Sequence, residues 1–166
     1  MIHIEIPEGL SKRERCRFIA ARMQGIIASE KDPLANLCNS MAFLYWTLGD
    51  VNWVGFYILR ENELVLGPFA GKPACSRIAM GKGVCGTAAQ SGEIQLVPDV
   101  EKFPGHIACD DASRSELVLP LFVDEKLYGV LDMDSPVLNR FDEEDARGIS
   151  AIARMLEPLI KSWSWK

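Results

Sequence analysis

The sequence predicts an α+β domain, an antiparallel sheet covered by helices. Apolar residues recur at helical spacing at both ends of the chain. The middle instead holds runs of β-branched and aromatic residues, arranged as two hairpins around a loop-rich crossover. The 166 residues fit one domain, 1–166, of ordinary size.

Ser11 and Glu14 fit a capping box, in which each side chain satisfies the other's backbone donor. Cys16, Ile19, Ala20, Met23, Ile26 and Ile27 follow as the apolar stripe of a first helix. Asp32-Pro33 reads as an N-cap with proline in the first helical position. Leu34, Leu37, Met41, Leu44 and Leu48 make the stripe of a second helix. After Gly49-Asp50 the period changes: 51–59 and 64–69 form a hairpin across a polar turn. Residues 70–92 are Gly-rich and irregular, with a short helix around 84–90, and 94–97 form a short strand. Residues 98–114 read as a long loop, a feature that in compact domains is functional or mobile. Residues 116–122 and 127–134 form the second hairpin around 123–126. A closing helix runs over 142–163, with Asp142, Glu143, Glu144 and Asp145 at its positive end and Ile149, Ile152, Ala153, Leu156 and Ile160 on its buried side.

Composition narrows the function classes. A formal charge of −5, with only the short basic run 11–17, provides no stripe for neutralising phosphates, so no nucleic-acid partner is expected. No run approaches the roughly 18 apolar residues of a membrane span. The N-terminus has no secretory pattern, so a reducing cytoplasm is expected. There, five cysteines are not a structural disulfide framework but buried thiols, ligands or reactive groups.

The second hairpin predicts a face. With its turn centred on Glu125, Leu117, Leu119 and Leu121 oppose Met133, Leu131 and Gly129, an apolar face that fixes the register. The other face then sets Glu116 opposite Asp134, with Asp132 two residues along and opposite Val118. Like charges facing each other destabilise a sheet. Either the strand ends splay and the carboxylates are solvated, or they receive a cation, a metal or a substrate ammonium. Crowding would also raise a carboxyl pKa and keep a proton for acid chemistry.

Cys16 and Cys38 fall on the helical stripes and read as small buried hydrophobes. Cys75, Cys85 and Cys109 sit beside Gly or Pro in loop-like or short-helix segments. Three uses compete for them. Zinc bound by Cys75, Cys85, Cys109 and His106 is disfavoured by spacings unlike those of zinc modules, so no metal is expected. Inert burial suits any one of them alone. Redox catalysis needs an attacking thiol and a resolving thiol on mobile backbone. Lys72, Arg77, Lys82 and His106 nearby would lower a thiol pKa, while Asp110 and Asp111 would raise that of Cys109. His106 also reads as a plain loop donor.

The segments NWVGFY (52–57), LGPFAGKPACSRI (66–78), GKGVCGTAA (81–89), VPDVEKFPGHIACDDASRSE (97–116) and GVLDMDSP (129–136) follow one another in order. In them the chain resembles the free methionine-(R)-sulfoxide reductases, a branch of the GAF-domain proteins. The motif-bearing part is about 50–145. The resemblance implies a GAF-like fold with the N- and C-terminal helices on one side of the sheet. It implies an oxidoreductase, active in oxidative stress, that reduces the R epimer of free methionine sulfoxide without a cofactor. It also implies roles: Cys109 as attacker, Cys75 as resolver, Cys85 as a second resolver, and thioredoxin as reductant of the redox-active disulfide. Glu116, Asp132 and Asp134 match the family's substrate-binding carboxylates, Trp53 and Tyr57 its aromatic pocket. Glu116 is the first choice as proton donor to the sulfoxide oxygen and Asp134 the second. A GAF-type binding or redox-sensing module without turnover is the alternative, although the chain ends at Trp163-Ser-Trp165-Lys166, where no output domain is expected. The Trp163 and Trp165 tail marks a candidate interface, such as that of a homodimer.

Overall fold

The first helix, α1 (Lys12–Ser29), opens on the expected capping box: the Glu14 N–H donates to Ser11 Oγ at 3.3 Å, and the Ser11 N–H donates to the Glu14 carboxylate at 3.0 Å. The computed structural model describes residues 4–107 and 110–163. Helix α2 (Pro33–Leu48) begins where the Asp32 carboxylate accepts from the Ala35 N–H at 2.9 Å. It buries Leu37, Met41, Leu44 and Leu48 together with Asn36, Ser40, Phe43 and Thr47. Two expectations fail on this helix: Leu34 is 40% exposed and Cys38 is an exposed free thiol. Each residue turns a helix by about 100°, and position 38 lies a step past the buried row.

Strands β1 (Trp53–Arg60) and β2 (Glu63–Gly71) form the first hairpin. The segment expected to be irregular contains a three-residue strand, β3 (Arg77–Ala79), paired to β2 through Leu64↔Ile78. Three residues are too few to show alternation in a sequence. Helix α3 (Gly83–Ser91) and strand β4 (Gln95–Val97) match the expected short elements, and a 3₁₀ turn over Val100–Lys102 interrupts the long loop. Strands β5 (Ser115–Val123) and β6 (Lys126–Ser135) form the second hairpin, and α4 (Glu143–Ser162) closes the chain. The six-stranded sheet has the order β3-β2-β1-β6-β5-β4, antiparallel at every pairing.

The second hairpin has the expected register: Glu116↔Asp134, Leu117↔Met133, Val118↔Asp132, Leu119↔Leu131 and Leu121↔Gly129. Its turn differs by half a step. Asp124 and Glu125 both take left-handed φ, 49° and 62°, as a two-residue hairpin turn requires. A bulge between Leu121 and Phe122 restores the register. Gly129 lies beside that bulge at φ 158°, where a Cβ would stand 2.1 Å from the Tyr57 carbonyl oxygen. Gly129→Ala is therefore expected to destabilise the fold by about 2 kcal/mol or more. An unchanged urea midpoint would refute that.

Both sheet faces are covered. Leu117, Leu119, Leu121, Leu131 and Met133 join Val54, Phe56 and Ile58 in the core beneath α1, α2 and α4. The terminal helices thus share one side, as expected. Arg140 locks them: it donates to the Leu48 carbonyl at 2.9 Å and to Asp145 at 3.2 Å, and Lys12 pairs with the same Asp145. Trp163, one half of the candidate interface tail, packs partly buried against this core, and Trp165 lies outside the described residues. Among the described residues no helix is long and apolar enough to cross a membrane. On the opposite face α3 packs on Trp53, Tyr57, Val118 and Val130.

Candidate active site

The face under α3 brings the carboxylates together. Trp53 pairs with Asp134 across β1 and β6, and Asp134 with Glu116 across β6 and β5, so the three stand in one row over three strands. Asp132 lies two residues along β6, on the same face. Trp53, Tyr57, Cys85, Glu116, Asp132 and Asp134 all line one cavity, together with the loop residues His106 and Ile107. The Trp53 ring stacks on Tyr57 and on Phe69, with centroids 5.8 Å and 5.5 Å apart. Gly55 makes room for it, because a Cβ there would stand 2.3 Å from the indole.

Burial governs the titration of this floor. Glu116 and Asp132 are 5% and 6% exposed. Loss of hydration raises Glu116 and Asp134 well above the carboxylate range, with the neighbouring carboxylates adding to it. Asp132 is pushed up only to about 6, because the Cys85 thiol, the Glu116 carboxyl and the Met133 N–H all donate to it. Asp132 is thus the member that carries charge near neutral pH, while Glu116 and Asp134 keep protons. One buried oxygen, Asp132 Oδ1, has no hydrogen-bond partner among the described residues. A buried unpaired acceptor in a cavity is positioned to receive a ligand donor.

Burial likewise pushes the Cys85 thiol well up, with Asp132 and Glu116 next in effect, so this sulfur is a neutral donor and not a thiolate. His106 is shifted down by burial, and its Nε2 lies 3.9 Å from Glu116 Oε2, as a neutral imidazole facing a neutral carboxyl.

The rim is tied by backbone and side-chain contacts, two of whose members, Asn52 and Ser113, sequence reasoning passed over. Tyr57 Oη donates to the Cys75 carbonyl at 3.0 Å, and Trp53 Nε1 to the Lys72 carbonyl at 3.1 Å. Lys72 Nζ pairs with Asp110 at 3.1 Å, and Asn52 Nδ2 donates to Asp110 at 3.2 Å and to Ser113 Oγ at 3.1 Å. Ser113 in turn hydrogen-bonds Asp134. The Lys72 charge considered for thiol activation is therefore shared with Asp110, whose carboxyl lies below its usual range through the Ala112 N–H and Lys72. Asn52, Asp110 and Ser113 all fall inside the motif segments, but no periodicity singles them out. Cys75 is disulfide-bonded; Cys16, Cys38 and Cys85 are free. Cys109, the expected attacker, lies outside the described residues. One donor atom each of Cys85, Glu116 and Asp132 lies within 4.8 Å of the other two.

The GAF-domain family profile matches residues 32–159. A free methionine-R-sulfoxide reductase from Escherichia coli is 50% identical over 157 residues, 95% of each chain. One from Saccharomyces cerevisiae is 40% identical, covering 93% of this chain and 90% of its own. The X-ray structure of free methionine-R-sulfoxide reductase from Neisseria meningitidis in complex with its substrate superposes with a TM-score of 0.91 at 41% identity, over 98% of this chain and 97% of that one. With its curled antiparallel sheet, its terminal helices on one side and its carboxylate row on the other, the chain belongs to the free methionine-(R)-sulfoxide reductase family of GAF-domain proteins.

Proposed function

We propose that the protein reduces free L-methionine (R)-S-oxide to L-methionine with its own cysteine thiols, and that thioredoxin returns the resulting disulfide to the dithiol. The observation that carries this reading is the cross-strand row of Trp53, Asp134 and Glu116, with the buried Asp132 and its unpartnered oxygen alongside. The relatives named for this activity, one of them in complex with its substrate, support it.

The chemistry follows from the protonation states. A sulfoxide is a poor electrophile until its oxygen is protonated or strongly hydrogen-bonded. Glu116, held neutral by burial, donates that proton, with Asp134 as the second candidate. Asp132 accepts the substrate ammonium, which a methionine inside a chain lacks; hence selectivity for the free amino acid. Trp53 covers the S-methyl group, a favourable contact for an aromatic ring. The Cys109 thiolate attacks sulfur, methionine leaves, and the oxygen remains on Cys109 as a sulfenic acid. The Cys75 thiol then attacks that sulfur, forming the disulfide and releasing water. Two electrons from the thioredoxin dithiol close the cycle, in keeping with a reducing cytoplasm. Tyr57 holds the Cys75 backbone through its hydroxyl. Cys85 stands as a second resolver, slowed by its raised pKa.

The test is direct: incubate the protein with each free sulfoxide epimer and dithiothreitol, and measure methionine. Turnover of the R epimer and not the S epimer is expected. No turnover of the R epimer would leave a binding module without catalysis.

A further inference from the structure

The cavity floor joins a thiol to two carboxylates, a donor set that binding an amino acid does not require. Cys85 Sγ lies 4.0 Å from Glu116 Oε1, and the donors of Cys85, Glu116 and Asp132 are within 4.8 Å of one another. Zinc–sulfur and zinc–oxygen bonds of about 2.3 and 2.0 Å put adjacent tetrahedral ligands roughly 3.5 Å apart, so small side-chain movements suffice. The three residues are 4%, 5% and 6% exposed. Asp132 Oδ1 has no hydrogen-bond partner among the described residues and belongs to a cavity-lining side chain. The neutral His106 imidazole, 3.9 Å from Glu116 Oε2, adds nitrogen beside the set.

We propose that this floor is a binding site for a thiophilic divalent cation, zinc foremost, which takes the place of the substrate ammonium and blocks the pocket. The overlap with substrate rests on the proposed function; the site itself does not. Three protein ligands leave the fourth tetrahedral position to a water from the cavity. On binding, the cation displaces the Cys85 and Glu116 protons to solvent. The thiolate so formed selects zinc or cobalt over magnesium and calcium, which prefer oxygen alone. The site is also separate from the redox pair. Cys75 is disulfide-bonded while Cys85 is free, so the donor set stands in the oxidised protein, where Cys75 cannot be a thiolate ligand.

Cobalt(II) titrated into the disulfide form, followed by absorption, tests this. One equivalent is expected to give a near-ultraviolet sulfur-to-cobalt charge-transfer band with the visible bands of a tetrahedral ion. Zinc should bleach both, and magnesium neither. Cys85→Ser should remove the charge-transfer band. Asp132→Asn should weaken cobalt binding at least about tenfold, which keeps the test alive if the serine variant fails to fold. Cys38→Ser, on the outer face of α2, should change nothing. A band that survives Cys85→Ser, or one lost in Cys38→Ser, overturns the site. Cobalt that free methionine sulfoxide does not displace overturns the overlap with substrate. Cobalt bound as described by a protein that reduces no sulfoxide upholds the site and sinks the proposed function instead.

Discussion

Cys109→Ser is expected to lower methionine sulfoxide reduction by at least about a thousandfold, because the attacking sulfur has no substitute in the pocket. Cys85, the free thiol that lines the cavity, is held protonated by burial and cannot take over as a thiolate. Cys75→Ser should behave differently. It keeps the attacker and loses the resolver, so without a reductant it should still release about one methionine per chain and then stop. Rapid quench with quantified methionine, alongside a sulfenic-acid trap, separates the two. Equal and complete loss in both variants would refute the assignment of attacking and resolving roles.

Asp132→Asn should lose activity and gain stability. The ammonium would lose its charged acceptor, and kcat/KM should fall about a hundredfold. For the wild type, kcat/KM should decline as pH drops through about 6, where Asp132 takes up its proton. Stability moves the other way. Folding raises the Asp132 carboxyl from 3.8 to about 6, so the proton binds more tightly to the folded state. Its contribution is favourable below the unfolded value and is lost as pH rises through the folded one. Above about pH 6 the buried anion therefore costs roughly 2–3 kcal/mol, which a neutral amide avoids. Urea unfolding should show Asp132→Asn as the more stable protein at pH 7, with the gap closing toward pH 3. A variant no more stable at pH 7 would contradict the charge assignment. Stability given up at a functional residue is the common pattern in enzymes.

The hairpin register was legible because side chains alternate with period 2: a one-residue slip would break up the common face of Leu117, Leu119, Leu121, Leu131 and Met133, and the turn position then sets Glu116 opposite Asp134. Caps were legible because they are local: Ser11 with Glu14, and Asp32 before Pro33, need no distant partner. Cys38 was misread because helix spacing locates a stripe but not its edges, and Cys38 sits one step past the edge. Strand β3 was missed because three residues show no period. Asn52 and Ser113 gave no local signal, since Asn52 meets Asp110 and Ser113 from 58 and 61 positions away along the chain.

The sequence by itself determined the α+β class and the carboxylate face, because period, capping and turn chemistry act over a few residues. The tertiary structure alone decided that β1 lies beside β6, bringing Trp53 opposite Asp134, and that α3 covers the row with Cys85. It also decided which carboxylate keeps its charge. Ionisation depends on hydration and on donors from other elements, and only folding sets how much water each oxygen loses and which neighbour replaces it.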